Sequence, residues 1–322
     1  MLISEKTQKI KEKEEIKSMS NHIGLSLLGY FLIMMGWSFI YLKFALLFGF
    51  SEDTALKFSD DPMGENVIQA IVSMIMVLLP ALILCRTELK KVRDSISFSK
   101  PKGKTLSIFG AALGFCYFVS LAEDTASSIF EGFGITAPSV SLQNPKGVSG
   151  FLMSVLVTAF LPALIEEFAM RGVALGLLRR FGDGFAIIGS AAIFGLMHAS
   201  ASQIPFAAFV GLALGIVAVK TESIWLCTAI HFANNFLYVV LSYMSEYLSE
   251  EAVVFADLIL DVLLLALFIL CAVNISKKDD AFLTLEKANT KSTEKEKLIG
   301  FFTAPALIIS AVISLAIAFF LR

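Results

Sequence analysis

Long uncharged apolar runs recur along the whole chain and alternate with short polar or charged stretches. Several of them reach the ~18–20 residues that an α-helix needs to cross the hydrocarbon core of a bilayer. The pattern therefore predicts an all-α fold, a polytopic transmembrane helix bundle of about eight or nine spans. The predicted spans cover residues 23–49, 67–85, 105–122, 150–178, 185–199, 203–219, 223–245, 253–275 and 298–321.

The polar stretches divide the chain into four parts. Residues 1–22 predict a charged cytosolic tail, and residues 23–275 predict the main transmembrane domain. A basic cytosolic linker over 276–297 then precedes a C-terminal transmembrane helix over 298–322. Because that helix follows the long linker, we expect it to lie at the periphery. The Gly- and Pro-containing stretch 123–149 is expected to be an irregular or re-entrant outer loop.

Composition agrees with a membrane protein and excludes other classes. Hydrophobic residues make up 57% of the 322 residues and charged residues 17%, against about half and about a quarter in ordinary soluble proteins. The net charge of −2 gives no reason to expect a nucleic-acid partner. The four cysteines form no CxxC pair, so neither a disulfide framework nor a thiolate metal site is indicated.

The positive charges predict an orientation. Of the 26 Lys and Arg residues, 21 fall in the tail and in alternate loops of the nine-span arrangement. Cytosolic loops carry an excess of Lys and Arg, so this arrangement predicts a cytosolic N-terminus. We expect a multi-pass integral membrane protein, with the lipid bilayer as its surroundings.

Ionisable side chains within a span are costly and mark candidate sites. The fourth span carries Glu166, Glu167 and Arg171. Glu167 and Arg171 have the i,i+4 spacing of an ion pair. Neighbouring helical residues point about 100° apart, so Glu166 is left free for another task. Pro162, about one turn earlier, removes a backbone hydrogen bond and loosens the helix there.

Two other spans carry polar groups at a similar depth, roughly 15–20 Å from the same membrane face. His198 lies in the fifth span, and His231 and Asn235 share one face of the seventh. The sequence thus predicts a polar site between the fourth, fifth and seventh helices. A carboxylate beside an imidazole suits the activation of water, and a His with an Asn suits an oxyanion. Taken singly, each residue also fits a structural ion pair or an interhelical hydrogen bond.

Three short motifs carry a family resemblance. Residues 166–171 (EEFAMR) match EExxxR, residues 194–198 (FGLMH) match FxxxH, and residues 231–235 (HFANN) match HxxxN. In this order, on separate helices, they resemble the CPBP family of intramembrane proteases. That family includes the eukaryotic CAAX prenyl endopeptidase and bacterial proteins linked to bacteriocin processing and self-immunity. The resemblance covers a motif core of about 150–240.

The resemblance implies a glutamate-type intramembrane endopeptidase that acts on a peptide or membrane-associated protein. It implies that Glu166 is the general base and that His198 holds and polarises the water. It also implies that His231 and Asn235 stabilise the oxyanion. Glu167 and Arg171 would form the pair that orients the site. No cofactor is required. The alternative is Zn²⁺, because the family has also been described as metalloproteases and a Glu with two His can ligate zinc.

Two alternatives to an enzyme remain open at this level. One is a non-catalytic bacteriocin immunity or membrane scaffold protein that retains the family site. The other is a proton-coupled transporter that uses Glu166, Asp257 and the histidines as a relay. The small-residue pairs Gly110/Gly114 and Gly211/Gly215 predict close helix packing, with a dimer interface as the alternative. The sequence does not determine the oligomeric state, the substrate or its cleavage site.

Overall fold

The computed structural model describes residues 2–88, 98–134, 146–277 and 282–320, and every regular element in these ranges is a helix. The predicted all-α bundle is confirmed. In chain order the helices are α1 (Leu2–Leu47), α2 (Glu52–Asp60), α3 (Pro62–Thr87), α4 (Thr105–Gly132), α5 (Gly147–Phe181), α6 (Asp183–Met197), α7 (Gln203–Thr221), α8 (Ile224–Met244), α9 (Glu250–Ser276), α10 (Glu294–Phe302) and α11 (Pro305–Phe320).

The number of helices that could cross a membrane is close to the eight or nine predicted. In the described part of the chain, seven helices are long and apolar enough to cross a membrane, and α10 with α11 makes an eighth if that pair, bent by 66°, counts as one span. Helix α6 coincides with the predicted fifth span but has only 15 residues. At ~1.5 Å per residue it is shorter than the ~30 Å hydrocarbon core.

Two predicted boundaries are also different in the structure. Helix α1 begins at Leu2, so the charged residues expected to form a separate tail continue the first membrane helix. Helix α4 runs on to Gly132, so the first part of the expected outer loop is helical. Residues 135–145 of that loop lie outside the described residues.

The helices pack around two hydrophobic cores. The first is built mainly from α1, α3, α5, α6 and α11 and includes Leu177, Phe185 and Phe194. The second is built from α4, α7, α8 and α9 and includes Leu214 and Ile230. Helices α5 and α8 carry the predicted polar residues and contribute to different cores. The polar residues therefore lie where the two cores meet.

Glycines allow the close approach of several helix pairs. A Cβ added at Gly114 would lie 2.7 Å from the Cβ of Phe268 on α9, and one at Gly211 would lie 2.9 Å from the Cα of Ala191 on α6. Real side chains do not approach that closely. The predicted use of these small residues in close helix packing is confirmed, and the contacts are within this one chain.

The last helix, α11, is part of the bundle and not peripheral. Its Ser310 and Ser314 are fully buried. Ser310 Oγ donates to the Gly24 carbonyl at 2.9 Å, and Ser314 Oγ donates to the Leu196 carbonyl of α6 at 2.7 Å. A Cβ at Gly24 would lie 2.4 Å from the Leu307 nitrogen, so α1 and α11 touch through their backbones. The expectation of a peripheral helix was wrong because it considered only chain order.

The first part of α1 is held against the start of α10. Glu296 pairs with Lys9 and Lys13 of α1, each at 2.8 Å. The Lys297 side chain is 1% exposed, and its Nζ donates to the Phe181 carbonyl at the end of α5 at 2.5 Å. The start of α1 and the start of α10 thus meet beside the end of α5.

The segment before α4 is attached to the turn between α7 and α8. Its Lys102 backbone N–H donates to the Thr221 carbonyl at 2.9 Å, and Ser223 Oγ donates to the Ser99 carbonyl at 2.7 Å. A hydrogen bond from Lys102 Nζ at 2.5 Å lowers the pKa of Glu222 in this turn. Residues 98–104 are therefore held on the protein, whereas residues 89–97 lie outside the described residues.

Candidate active site

Helix α5, which carries the two adjacent glutamates, is irregular on both sides of them. Its residues Val155–Phe160 and Phe168–Ala174 form π-helical turns, and Leu161–Glu167 between them is α-helical, with Pro162 in its first turn. Proline cannot donate the backbone hydrogen bond that a regular helix would need at this position. π-helical turns are rare and occur frequently at functional sites. They set the directions in which the side chains after Pro162 point.

Glu167 is the most enclosed residue of the site. Its side chain is fully buried, and its Oε2 lies 3.1 Å from Nε of Arg171, which is itself almost completely buried. Its Oε1 lies 2.9 Å from Nδ1 of His231 on α8. The i,i+4 pairing predicted from the sequence is present, and His231 is a second partner that the spacing did not show. One carboxylate therefore joins α5 to α8.

Phe194 of α6 lies at the centre of the polar cluster. The Arg171 guanidinium is 4.8 Å from the centroid of its ring. The rings of His198 and His231 contact it edge-on, with centroids 5.0 and 6.0 Å away. The structure thus brings Arg171, His198 and His231 around one aromatic ring.

The hydrogen bond of His198 fixes which ring nitrogen carries a proton. Its Nδ1 lies 2.8 Å from the Phe194 carbonyl oxygen. A carbonyl oxygen can only accept, so Nδ1 is the protonated nitrogen and donates. In the neutral imidazole the lone pair is then on Nε2, where it can accept a hydrogen bond from water.

Glu166 differs from its neighbour in both burial and pairing. It is half-buried, and among the described residues it makes neither a hydrogen bond nor an ion pair. Its charge is nevertheless close enough to His231 and to Tyr30 of α1 to act on both electrostatically. The prediction that Glu166 points away from Arg171 agrees with this arrangement. Its carboxylate is free to bind a water or a substrate group.

Asn235 lies one turn beyond His231 on α8 and faces α5. Its side-chain Nδ2 donates to the Thr158 carbonyl in the first π-helical turn at 3.1 Å. A carboxamide nitrogen carries two hydrogens, so a second N–H is left for a further acceptor. The neighbouring Asn234 Nδ2 is 3.5 Å from Asn235 Oδ1 and 3.4 Å from Ser120 Oγ of α4.

Some residues of this site could not be found from the sequence alone. Phe194 was noted as part of FxxxH, yet its central position among three helices depends on the packing. Tyr30 and Ser120 come from α1 and α4, far away in the chain, and belong to no motif. Asn234 stands beside a motif residue, but nothing in the spacing gave it a role.

A zinc site in a protein needs three or four ligands brought close together. Among the residues that the structure describes, no group of three or more His, Cys, Asp and Glu side chains is arranged to hold a metal ion. Nδ1 of His198 contacts the Phe194 carbonyl and Nδ1 of His231 contacts Glu167, so Nε2 is the ring nitrogen without a hydrogen bond in the described structure. We therefore derive no step through a metal.

Asp257 and Asp261 of α9, in contrast, both contact Tyr117 of α4. The Tyr117 hydroxyl lies 3.1 Å from Asp257 and 2.9 Å from Asp261. The transporter alternative requires a proton relay through Asp257. In the structure Asp257 is bound to Tyr117, which belongs to none of the three motifs.

Comparison with known proteins agrees with the motif assignment. Residues 148–237 match the family described as type II CAAX prenyl endopeptidase Rce1-like. The chain is also 26% identical over 207 residues to the Bacillus subtilis (strain 168) protein named "Putative membrane peptidase YdiL", across 59% of this chain and 81% of that protein. No solved structure matches the chain.

The matched region begins just before the first π-helical turn of α5 and ends just after Asn235, so it contains all three motifs. The resemblance drawn from those motifs is confirmed. Through residues 148–237, this multi-pass membrane protein is similar to the CPBP family of intramembrane proteases.

Proposed function

We propose that this protein is a glutamate-type intramembrane endopeptidase that hydrolyses a peptide bond with a water held by Glu166 and His198. One observation carries the proposal, the contrast between the two adjacent glutamates. Glu167 is buried and bound by Arg171 and His231, whereas Glu166 is half-buried and has no hydrogen-bond partner in the described structure. A catalytic base must be free to receive a proton, and only Glu166 meets that requirement.

In the first step the Glu166 carboxylate removes a proton from water while the water oxygen attacks the peptide carbonyl carbon. Nε2 of His198 accepts the second hydrogen of that water and orients it, since Nδ1 donates to the Phe194 carbonyl. The carbonyl π electrons move to oxygen and form a tetrahedral oxyanion. Glu166 is then a carboxylic acid.

The oxyanion requires hydrogen-bond donors that are already in place. Asn235 offers the N–H that does not bind Thr158. His231 offers an Nε2–H when its imidazole is protonated, a form that the Glu167 carboxylate at Nδ1 stabilises. When the oxyanion collapses, the C–N bond breaks and the leaving nitrogen takes the proton from Glu166, which regenerates the carboxylate.

The substrate proposed for this site is a peptide or a membrane-protein segment. The support comes from the family, described as a prenyl endopeptidase, and from a relative that carries the name of a membrane peptidase. Reaction inside a helix bundle also requires that the substrate segment reach the bilayer. The residues around the site do not by themselves select a particular sequence or lipid modification.

The test compares membranes that contain native protein, Glu166→Ala or Asp257→Asn at matched expression. Asp257→Asn is the control, because it alters an intramembrane carboxylate that contacts Tyr117 outside the proposed site. Proteomic mapping of peptide termini is expected to find termini that require Glu166 and persist in the control. The activity is also expected to survive 1,10-phenanthroline, since the proposed steps use no metal.

Termini that persist in folded Glu166→Ala protein would overturn the assignment of the base. If no terminus depends on native protein while Glu166→Ala retains the cellular phenotype, the endopeptidase proposal fails and a non-catalytic binding protein takes its place. Loss of cleavage with the chelator, restored by added Zn²⁺, would overturn the metal-free mechanism.

We also propose a cytosolic N-terminus in the plasma membrane of a bacterium. The support is the distribution of Lys and Arg, of which 21 of 26 fall in the tail and in alternate loops of the nine-span arrangement. Labelling of single cysteines introduced at Lys6 and Lys57 with a membrane-impermeant reagent tests this orientation in intact cells. Only the cysteine at position 57 is expected to react, and the reverse result would overturn the orientation.

A further inference from the structure

The turn that follows His198 has an unusual backbone. It links α6 to α7 through residues 198–202, and its Ala199 has φ +46°, in the left-handed region that non-glycine residues rarely adopt. Ala199 is 3% exposed, and Ser200 and Ser202 are 4% and 3% exposed. Such a conformation persists only where the surroundings hold it. What holds this turn therefore also determines where His198 points.

A carboxylate from another helix binds the end of this turn. Oε1 of Glu123 on α4 accepts from Ser202 Oγ at 2.7 Å and from Ser127 Oγ at 3.0 Å. The Ser127 and Ser202 hydroxyls are 2.7 Å apart, and Ser200 Oγ lies 3.4 Å from Ser202 Oγ. The hydroxyl groups of Ser127, Ser200 and Ser202 thus form one hydrogen-bond network, in which the Glu123 carboxylate accepts from Ser127 and Ser202.

Helix packing does not account for this network. Helices α6 and α7 already approach closely without it, because a Cβ at Gly195 would lie 2.5 Å from the Ile204 carbonyl oxygen. The two helices would thus remain together if Glu123 were absent. Glu123 instead fixes the conformation of the turn between the two helices, because it binds Ser202, four residues after His198.

We propose that Glu123 is a positioning residue of the active site. By holding Ser202 and the strained turn, it keeps the His198 imidazole in the orientation in which Nδ1 donates to the Phe194 carbonyl and Nε2 faces the water. Glu123 touches neither that water nor the substrate. The proposal rests on the proposed role of His198, but the orientation of the ring can be measured without any substrate.

The experiment uses the full-length protein in detergent micelles, labelled with [15N]histidine. The chain has three histidines, so the ring-nitrogen NMR signals of His198 can be assigned against His22 and His231 by single substitutions. Ring-nitrogen shifts report which nitrogen carries the proton. The variants are Glu123→Ala, Glu123→Gln and Ser202→Ala. The matched control is Glu131→Ala, which removes an exposed carboxylate from the same helix.

Glu123→Ala is expected to move the His198 signals toward a mixture of the two tautomers and to leave those of His22 and His231 unchanged. Ser202→Ala should act in the same direction, and Glu123→Gln should restore the native signals because its amide oxygen still accepts. Once a substrate is known, kcat of Glu123→Ala should fall at least ~10-fold with little change in KM. Glu131→Ala should match native protein in every measurement.

Unchanged His198 signals in folded Glu123→Ala or Ser202→Ala protein would overturn the proposal, and so would equal movement of all three histidines. If His198 alone moves but native protein cleaves nothing, the proposed peptidase activity fails and the positioning by Glu123 stands. If Glu166→Ala abolishes cleavage while the Glu123 variants leave the His198 signals unchanged, only the positioning proposal fails.

Discussion

Two adjacent residues of the same type have opposite environments in this protein. Glu167 is fully buried and shares its oxygens between Arg171 and His231, whereas Glu166 is half-buried and makes no ion pair or hydrogen bond among the described residues. The helix geometry requires this difference, because neighbours on a helix point about 100° apart. The same residue type can therefore supply a structural anion and a candidate base at consecutive positions.

This contrast predicts that the two glutamates contribute very different amounts to stability. Glu167→Gln leaves the buried Arg171 without its carboxylate and should lower the free energy of unfolding by about 3–5 kcal/mol. Glu166→Gln should change it by less than about 0.5 kcal/mol, since no partner is lost. Denaturant unfolding in mixed micelles measures both. The double variant Glu167→Gln/Arg171→Met is expected to be more stable than Glu167→Gln alone. Equal losses of unfolding free energy in Glu166→Gln and Glu167→Gln would contradict this account.

At the residue scale, the sequence predicted the pairs that lie on one helix. Glu167 with Arg171 follows from i,i+4 spacing, and the pair is present at 3.1 Å. The bond from His231 to Glu167 joins residues 64 positions apart, and no local pattern encodes it. The assignment of roles to Glu166, His198 and Asn235 remains a prediction from the family resemblance.

At the scale of elements, the α6–α7 pair is the hairpin that presents His198. A Cβ at Gly195 would lie 2.5 Å from the Ile204 carbonyl oxygen and 3.0 Å from the Ala208 Cβ, so the two helices touch just below the turn. Backbone cannot move as a flexible side chain can. The hairpin therefore depends on a residue without a side chain at this position.

Gly195→Ala is accordingly expected to lower the free energy of unfolding by about 1–3 kcal/mol, as overpacking does in other cores. It should also displace the turn that carries His198. Gly132→Ala is the matched control, because a Cβ there meets no atom within 4 Å, and it should leave stability unchanged or slightly raised. Thermal unfolding followed by tryptophan fluorescence measures both, and a neutral Gly195→Ala would show that α6 and α7 can separate freely.

Element boundaries were predicted less well than element types. The apolar runs located every helix that spans or enters the bundle, because hydropathy depends only on local composition. They did not show that α1 begins at Leu2, that α6 is only 15 residues long, or that α10 and α11 are bent by 66°. Those features depend on how the residues that flank each apolar run pack against other helices of the molecule.

At the scale of the whole molecule, the end of the chain completes the bundle around the site. Helix α11 lies against α1 through Ser310 and Gly24 and against α6 through Ser314 and Leu196. Leu196 is two residues before His198. The C-terminal helix is thus part of the support of the candidate active site.

Ser310→Leu should therefore destabilise the entire protein. The residue is fully buried, so a larger apolar side chain would force α1 and α11 apart at a cost of about 1–3 kcal/mol. Val312→Leu on the same helix is the control, because Val312 is 60% exposed and faces the surroundings of the bundle. Unfolding temperatures in the same detergent compare the two. Equal temperatures for both variants would support a peripheral α11 after all.

By itself, the sequence determined the class of protein, the positions of its helices, the ion pair within α5 and the three motifs that identify the family. These properties depend on composition or on spacings of three to four residues, and they are encoded within each helix. The tertiary structure decided that His231 reaches Glu167, that Phe194 lies among Arg171 and the two histidines, that Glu123 binds the turn after His198 and that α11 is buried. Each of these joins segments far apart in the chain, and such contacts depend on how the helices pack against each other.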